Sequence, residues 1–108
     1  MDIFEELWKV VRAIPYGRAS TYGDVGRAMK NPASGYMVGR WMTRCPPDVP
    51  WWRVVAKGGI IALSKRSPKL GMDQQSRLTE EGIKFEDGRV SPTALISYVE
   101  LLSLKETD

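Results

Sequence analysis

Apolar residues recur at helical spacing at the start of the chain. Ile3, Leu7, Val10, Val11 and Ile14 share one face, with Phe4 and Trp8 flanking it. This pattern predicts an amphipathic helix that ends at Pro15-Tyr16-Gly17. Asp2 followed by Glu5 reads as its capping box. A second, shorter helix carries Tyr22, Val25, Ala28 and Met29, with Ser20 and Thr21 competing to cap it. Gly23 and Gly26 weaken that helix, so something is expected to pack closely there. Asn31-Pro32 predicts a third helix running to about Arg44, with Val38, Met42 and Trp41 inward and Gly35 and Gly39 on one closely approaching face. Helices two and three make a helix-turn-helix or a plain helical hairpin. Arg53 to Ala56, Lys57-Gly58-Gly59 and Ile60 to Leu63 then read as a β-hairpin. Ser64 to Met72, with Pro68 and Gly71, reads as a loop, and Asp73 opens a helix closed by Gly82. Ile83 to Glu86 alternates like a strand before the Asp87-Gly88 turn. Ser91-Pro92 caps a last helix that carries Leu95, Ile96, Val99, Leu102 and Leu104.

A chain of 108 residues is one domain, 1–108, with residues 91–108 a C-terminal helical extension. Charge alters this picture through its distribution. Residues 31–77 hold eight basic and two acidic side chains, whereas residues 78–108 hold three basic and seven acidic. The middle of the chain is therefore a candidate polyanion-facing surface, or an ordinary solvated one. The single cysteine, Cys45, rules out an intrachain disulfide and fits a reducing compartment, so a cytoplasmic location is expected. No signal peptide or membrane-spanning run is evident. The chain has no histidine, which removes Cys-His and Ser-His-Asp relays and histidine metal sites. No metal or other cofactor is expected.

Candidate chemistry concentrates at Val49-Pro50-Trp51-Trp52-Arg53-Val54-Val55. Pro50 favours a turn or strand start, and Val54-Val55 a strand. Adjacent strand residues point to opposite faces, so at most one indole is expected to pack inward on the same core, and the other either covers a second surface or lines a pocket.

This stretch resembles the active-site segment of the O6-alkylguanine-DNA alkyltransferases, Pro-Cys-His-Arg-Val, with Trp51 at the cysteine position and Trp52 at the histidine position. Replacement of that cysteine by tryptophan marks the non-catalytic alkyltransferase-like proteins. The likeness runs from about Phe4 to Phe85. It includes Ser20-Thr21-Tyr22, Asn31-Pro32, Val38-Gly39, Pro50-Trp51, Arg53-Val54-Val55 and the helix end from Leu78 to Gly82. It implies a mainly α fold with a small β-hairpin, a winged helix-turn-helix domain like the C-terminal domain of the alkyltransferases.

The resemblance also assigns roles. Trp51 becomes a wall of a lesion pocket, Tyr22 pushes on a phosphate to promote base rotation, and Arg66, in Ser64-Lys65-Arg66, lies over the flipped base. Tyr36 stands where the family has an arginine finger, so either Tyr36 fills the gap or Arg40, one turn later, does that work. Arg53 holds the turn together, with Pro50 and Trp52 structural beside it. Gly39 and the cations Lys30, Arg40, Arg44, Lys57, Lys65 and Lys69 become DNA contacts, the cations through phosphates. The implied function is a non-enzymatic sensor. It binds O6-alkylguanine in duplex DNA through the minor groove, flips the base and directs the lesion to nucleotide excision repair. The partners are then damaged duplex DNA and repair proteins, and a monomer suffices.

Two rivals follow from the same residues. A winged-helix regulator would read a sequence in the major groove with Arg40 and Arg44. An active alkyltransferase would use Cys45 as a relocated nucleophile.

Overall fold

The computed structural model describes residues 2–106. The first helix, α1, spans Ile3–Arg12, and Asp2 caps it by accepting the Glu5 amide at 2.8 Å. Its inward stripe of Leu7, Val10 and Val11 is fully buried, together with Ile14 just beyond its end. Ile3, at the solvent end of that stripe, is exposed. β1 is Ser20–Thr21, and Thr21 caps α2, Tyr22–Arg27, by accepting the Asp24 amide. Ser20 does not compete for the cap, because its hydroxyl donates to the Ile96 carbonyl at 2.9 Å.

The third helix, α3, spans only Gly35–Trp41 and is capped by Ser34, not Asn31. The Ala33 amide donates to the Gly26 carbonyl at 3.0 Å. That bond fixes the turn between α2 and α3 and delays the third helix. A Cβ on Gly26 would collide with the Ala33 carbonyl, so the glycine that weakens α2 allows the helices to approach. Gly35 is similar, since a Cβ there would lie 3.1 Å from the Gly23 nitrogen. Gly39 differs from the expectation: nothing lies within 4 Å of where its Cβ would be. Residues 42–44 continue α3 as a 3-10 turn.

Trp51–Arg53 is a 3-10 turn rather than strand. β2, Val54–Val55, follows it and pairs in parallel with β1, Ser20 opposite Val54 and Thr21 opposite Val55. The expected wing is reduced to a single Ala56–Ile60 pair around a turn at Lys57–Gly59. The returning arm is cut short because the chain turns back into helix at Leu63, so a long hairpin does not form.

The largest departure lies at residues 64–72, expected as loop. α4 spans Leu63–Arg66, and α5 runs Pro68–Glu80 with Ser67 as its cap. Pro68 sits in the first turn, where its missing amide is no loss. Gly71 is buried against Ser64, and a Cβ there would lie 2.8 Å from the Ser64 Cα. The proline and glycine therefore mark a helix start and a close helix contact. Asp73 lies inside α5 and pairs with Arg77.

β3, Phe85–Glu86, lies within the expected strand, and beyond the expected Asp87-Gly88 turn it pairs with β4, Arg89–Val90, in an antiparallel hairpin that the sequence pattern did not predict. The last helix starts later than its sequence signal. Ser91-Pro92 opens only a 3-10 turn, and α6 spans Tyr98–Glu106. The Ala19 amide donates to Ala94, and the Ile96 amide donates to Ala19, which keeps the intervening backbone extended. In α6 Leu101 is buried, whereas Val99, expected inward, is 61% exposed.

Two apolar clusters result. The larger gathers α1, α2, Val38, Val49, Val54, Ile96 and Leu101, and the smaller gathers Ala19, Val55, Ile61, Leu78, Ile83, Val90 and Ala94. Strand alternation sends Val54 into one and Val55 into the other. The Trp51–Arg53 turn is thus held at the seam between the two. Among the described residues, no helix is long and apolar enough to cross a membrane.

Candidate nucleic-acid interface

Tyr22, Gly39, Trp51 and Arg66 come from α2, α3, the 3-10 turn and α4, and they line one cavity of about 400 Å³. Met42, Thr43, Cys45, Ala62, Leu63 and Leu70 complete its wall. Arg66 is the one formal charge among these lining residues. Most of the remaining wall is apolar or aromatic, as small-ligand pockets usually are. Burial raises the Tyr22 phenol above its ordinary value, and the nearby Arg66 opposes that rise. Tyr22 is therefore a neutral hydroxyl near neutral pH, able both to donate and to accept.

Cys45 also faces this cavity, which its place in the sequence did not reveal. Burial pushes its thiol up to about 11; Arg12 opposes that rise and Asp48 adds to it. A thiol so placed is almost wholly protonated near neutral pH and is a poor nucleophile.

Beneath the turn, the Arg53 guanidinium grips the Glu81 carboxylate. Its Nε lies 3.0 and 3.1 Å from the two oxygens, and a terminal nitrogen lies 2.9 Å from Oε2. The other terminal nitrogen donates to the Ile14 carbonyl at 2.9 Å, which ties the turn to the end of α1. Glu81 also accepts the Gly17 amide and the Trp52 indole N–H, both at 2.8 Å. Burial raises the Glu81 carboxyl, but the bonds from Arg53, Gly17 and Trp52 outweigh it and hold it below its ordinary value. Glu81 was not singled out from the sequence, although it lies in the Leu78 to Gly82 stretch. A glutamate at a helix end is too common to signal this role by itself.

The two adjacent indoles meet edge to face, at 88° with centroids 5.9 Å apart. Trp51 turns toward the cavity, whereas Trp52 packs on the smaller core and is fixed by Glu81. Gln74, buried on α5, donates to the carbonyls of Trp52 and Val54 at 3.1 and 2.9 Å. Like Glu81, it escaped the sequence reading, because a polar residue on a mixed helix gives no sign that it faces inward.

Tyr36 is 71% exposed on α3, in the open. Arg40, one turn later, donates to the Tyr36 hydroxyl at 3.3 Å, and its guanidinium carbon lies 5.9 Å from the ring centroid. The two side chains expected as alternatives therefore touch. Gly39, on the same helical face, leaves the cavity open beside them. Lys30, Arg40, Arg44, Lys57, Lys65 and Lys69 are all exposed. Arg44 sets its guanidinium carbon over the Phe4 ring, 5.1 Å from the centroid, so its charged head lies back against α1. None of the six lines the cavity.

Known proteins resemble this chain in sequence and in fold. The family described as 6-O-methylguanine DNA methyltransferase, DNA binding domain, matches residues 2–83. Alkyltransferase-like protein 1 of Schizosaccharomyces pombe is 37% identical over 87 residues, which cover 78% of this chain and 79% of that protein. The DNA base-flipping protein of Escherichia coli is 37% identical over 88 residues, covering 80% of this chain and 67% of that one. The crystal structure of S. pombe Atl1 in complex with damaged DNA containing O6-carboxymethylguanine superposes with a TM-score of 0.75 at 30% identity. The match covers 90% of this chain and 99% of that one. The mainly helical fold with small sheets agrees with that structure. The chain belongs to the alkyltransferase-like proteins, within the family of the 6-O-methylguanine DNA methyltransferase DNA-binding domain.

Proposed function

We propose that this protein is a non-enzymatic sensor of O6-alkylguanine in duplex DNA. The observation that carries the reading is the convergence of Tyr22, Gly39, Trp51 and Arg66 on one apolar cavity beside the exposed face of α3. Its volume of about 400 Å³ falls in the range of small-ligand sites, and a base must leave the helical stack to enter such a pocket. The helix-turn-helix lies along the minor groove, and Tyr22 presses on a backbone phosphate as the nucleotide rotates. Tyr36 and Arg40 act as one unit, the ring filling the gap left in the stack and the guanidinium bonding the unpaired base opposite. Trp51 stacks against the alkylated base, its large apolar surface accepting several alkyl sizes. Arg66 supplies a cation over the flipped ring. The exposed cations, Arg44 and Lys65 among them, neutralise phosphates, so binding weakens as salt rises.

Alkyl transfer is outside this reading. Trp51 has no nucleophilic atom, the chain holds no histidine, and the Cys45 thiol is raised to about 11. A sensor that cannot repair must hand the lesion on, and the resemblance to alkyltransferase-like proteins makes nucleotide excision repair the pathway proposed. One copy presents the whole site, so a monomer suffices.

The test compares two duplexes identical except for guanine or O6-methylguanine at one position, and then takes an intact protein mass. The lesion is expected to bind about tenfold tighter or more, with no mass change. Equal affinities would overturn the sensor reading, and an added methyl group would overturn the non-enzymatic one.

A further inference from the structure

No hydrogen bond holds the Trp51 side chain among the described residues, in contrast to Trp52. Its ring contacts are Trp52, edge to face, and Arg77, whose guanidinium carbon lies 5.5 Å from the Trp51 ring centroid. The same carbon lies 4.9 Å from the Trp52 ring. Arg77 stands on α5 and is itself held by Asp73, Nε to Oδ1, at 3.2 Å. It does not line the cavity. Gln74, Arg77, Leu78 and Glu81 follow helical spacing and form one stripe facing the turn. Gln74 holds its carbonyls, Glu81 holds Arg53 and Trp52, and Leu78 packs in the smaller core. Arg77 is the member of that stripe that reaches Trp51.

We infer that Arg77 is a positioning residue for lesion recognition: by bridging both indoles, it fixes the orientation in which Trp51 presents its ring to the cavity. This rests on the sensor reading and adds to it a residue outside the pocket. A rigid wall discriminates better than a swinging one, because a side chain ordered in advance loses less entropy on binding. A cation–π contact suits the task, since it orients the indole without occupying its edge or closing the cavity.

The alternative role for an exposed arginine is a phosphate contact, and two readouts separate them. The first is the affinity ratio between the O6-methylguanine and guanine duplexes. The second is acrylamide quenching of Trp51, isolated as the difference between each chain and its Trp51→Phe counterpart. In Arg77→Ala, affinity for the undamaged duplex should stay within about twofold. The lesion preference should fall about three- to fivefold, as expected of an exposed cation–π contact, and Trp51 quenching should rise. Arg77→Lys should restore part of both. Should Arg77→Ala fail to fold by circular dichroism, Arg77→Met, which keeps the stem, replaces it. Equal losses on both duplexes would make Arg77 a phosphate contact and overturn the proposal, as would a change in only one of the two readouts. If the wild-type chain shows no lesion preference, the sensor reading falls, and quenching alone decides whether Arg77 orients Trp51.

Discussion

Two carboxylates, Glu81 and Glu6, are each raised by burial but held below their ordinary value by a cation and a backbone amide from elsewhere in the chain, yet they fix very different things. Glu81 meets the planar fork of Arg53, the Trp52 indole and the Gly17 amide, so its orientation is determined along with its position. Glu6 meets the Lys105 ammonium at 2.9 Å and the Lys30 amide at 2.8 Å. Lys105 also donates to the Ala28 carbonyl at the end of α2, at 3.0 Å. A lysine is a point charge with rotatable donors, so this contact clips α6 to α1 and α2 but imposes little angular control. The fork lies under the turn that carries Trp51, where angles matter, and the point charge lies where only docking is required. Residues 84–106 lie beyond the 2–83 family match, and this clip joins them to the helix-turn-helix.

The two pairs should respond differently to the loss of a partner. Glu81→Gln leaves the guanidinium, 14% exposed, facing an amide that cannot neutralise it. Removing one partner of a buried pair costs about 3–5 kcal/mol, to be read as the change in urea unfolding free energy. Lys105→Met should cost less, near the low end of the same range of about 3–5 kcal/mol, because Lys105 makes one bond to Glu6 where Arg53 makes three to Glu81. Equal losses would mean that fork geometry adds nothing.

Acid sharpens the same comparison. Both carboxylates are depressed in the folded state from the ordinary glutamate value of about 4.5. Their contribution is thus fully present above about pH 4.5 and is lost as the pH falls through the lower folded values. Stability should decline with acid below that point, and Glu81→Gln and Glu6→Gln should each flatten the decline. An unchanged acid limb in both variants would remove these groups as its cause. The smallest effect concerns Cys45. With its thiol raised from 9.0 to about 11, it holds about a hundredfold less thiolate near neutral pH than an ordinary thiol. Its labelling by a thiol reagent should therefore still climb about tenfold per pH unit up to pH 10. A plateau near pH 9 would contradict the raised value.

Residues in sequence determined the elements whose signals are local. The apolar stripe and cap of α1, the Thr21 cap of α2 and the Asp87-Gly88 turn follow from spacing and turn chemistry, because their stabilising contacts lie within a few residues. The adjacent Trp51 and Trp52 and the missing histidine also needed no coordinates, since they concern which atoms the chain possesses. Tertiary structure decided what depends on residues far apart in sequence. The start of α4 at Leu63 left the wing as one bridge, and packing of Gly71 on Ser64 turned an expected loop into two helices. Bonding of Ala19 with Ala94 and Ile96 delayed the last helix. The stripe from Gln74 to Glu81 that grips the tryptophan turn was hidden for the same reason. A polar side chain on a helix reveals its partner only once the fold has brought that partner within hydrogen-bonding distance.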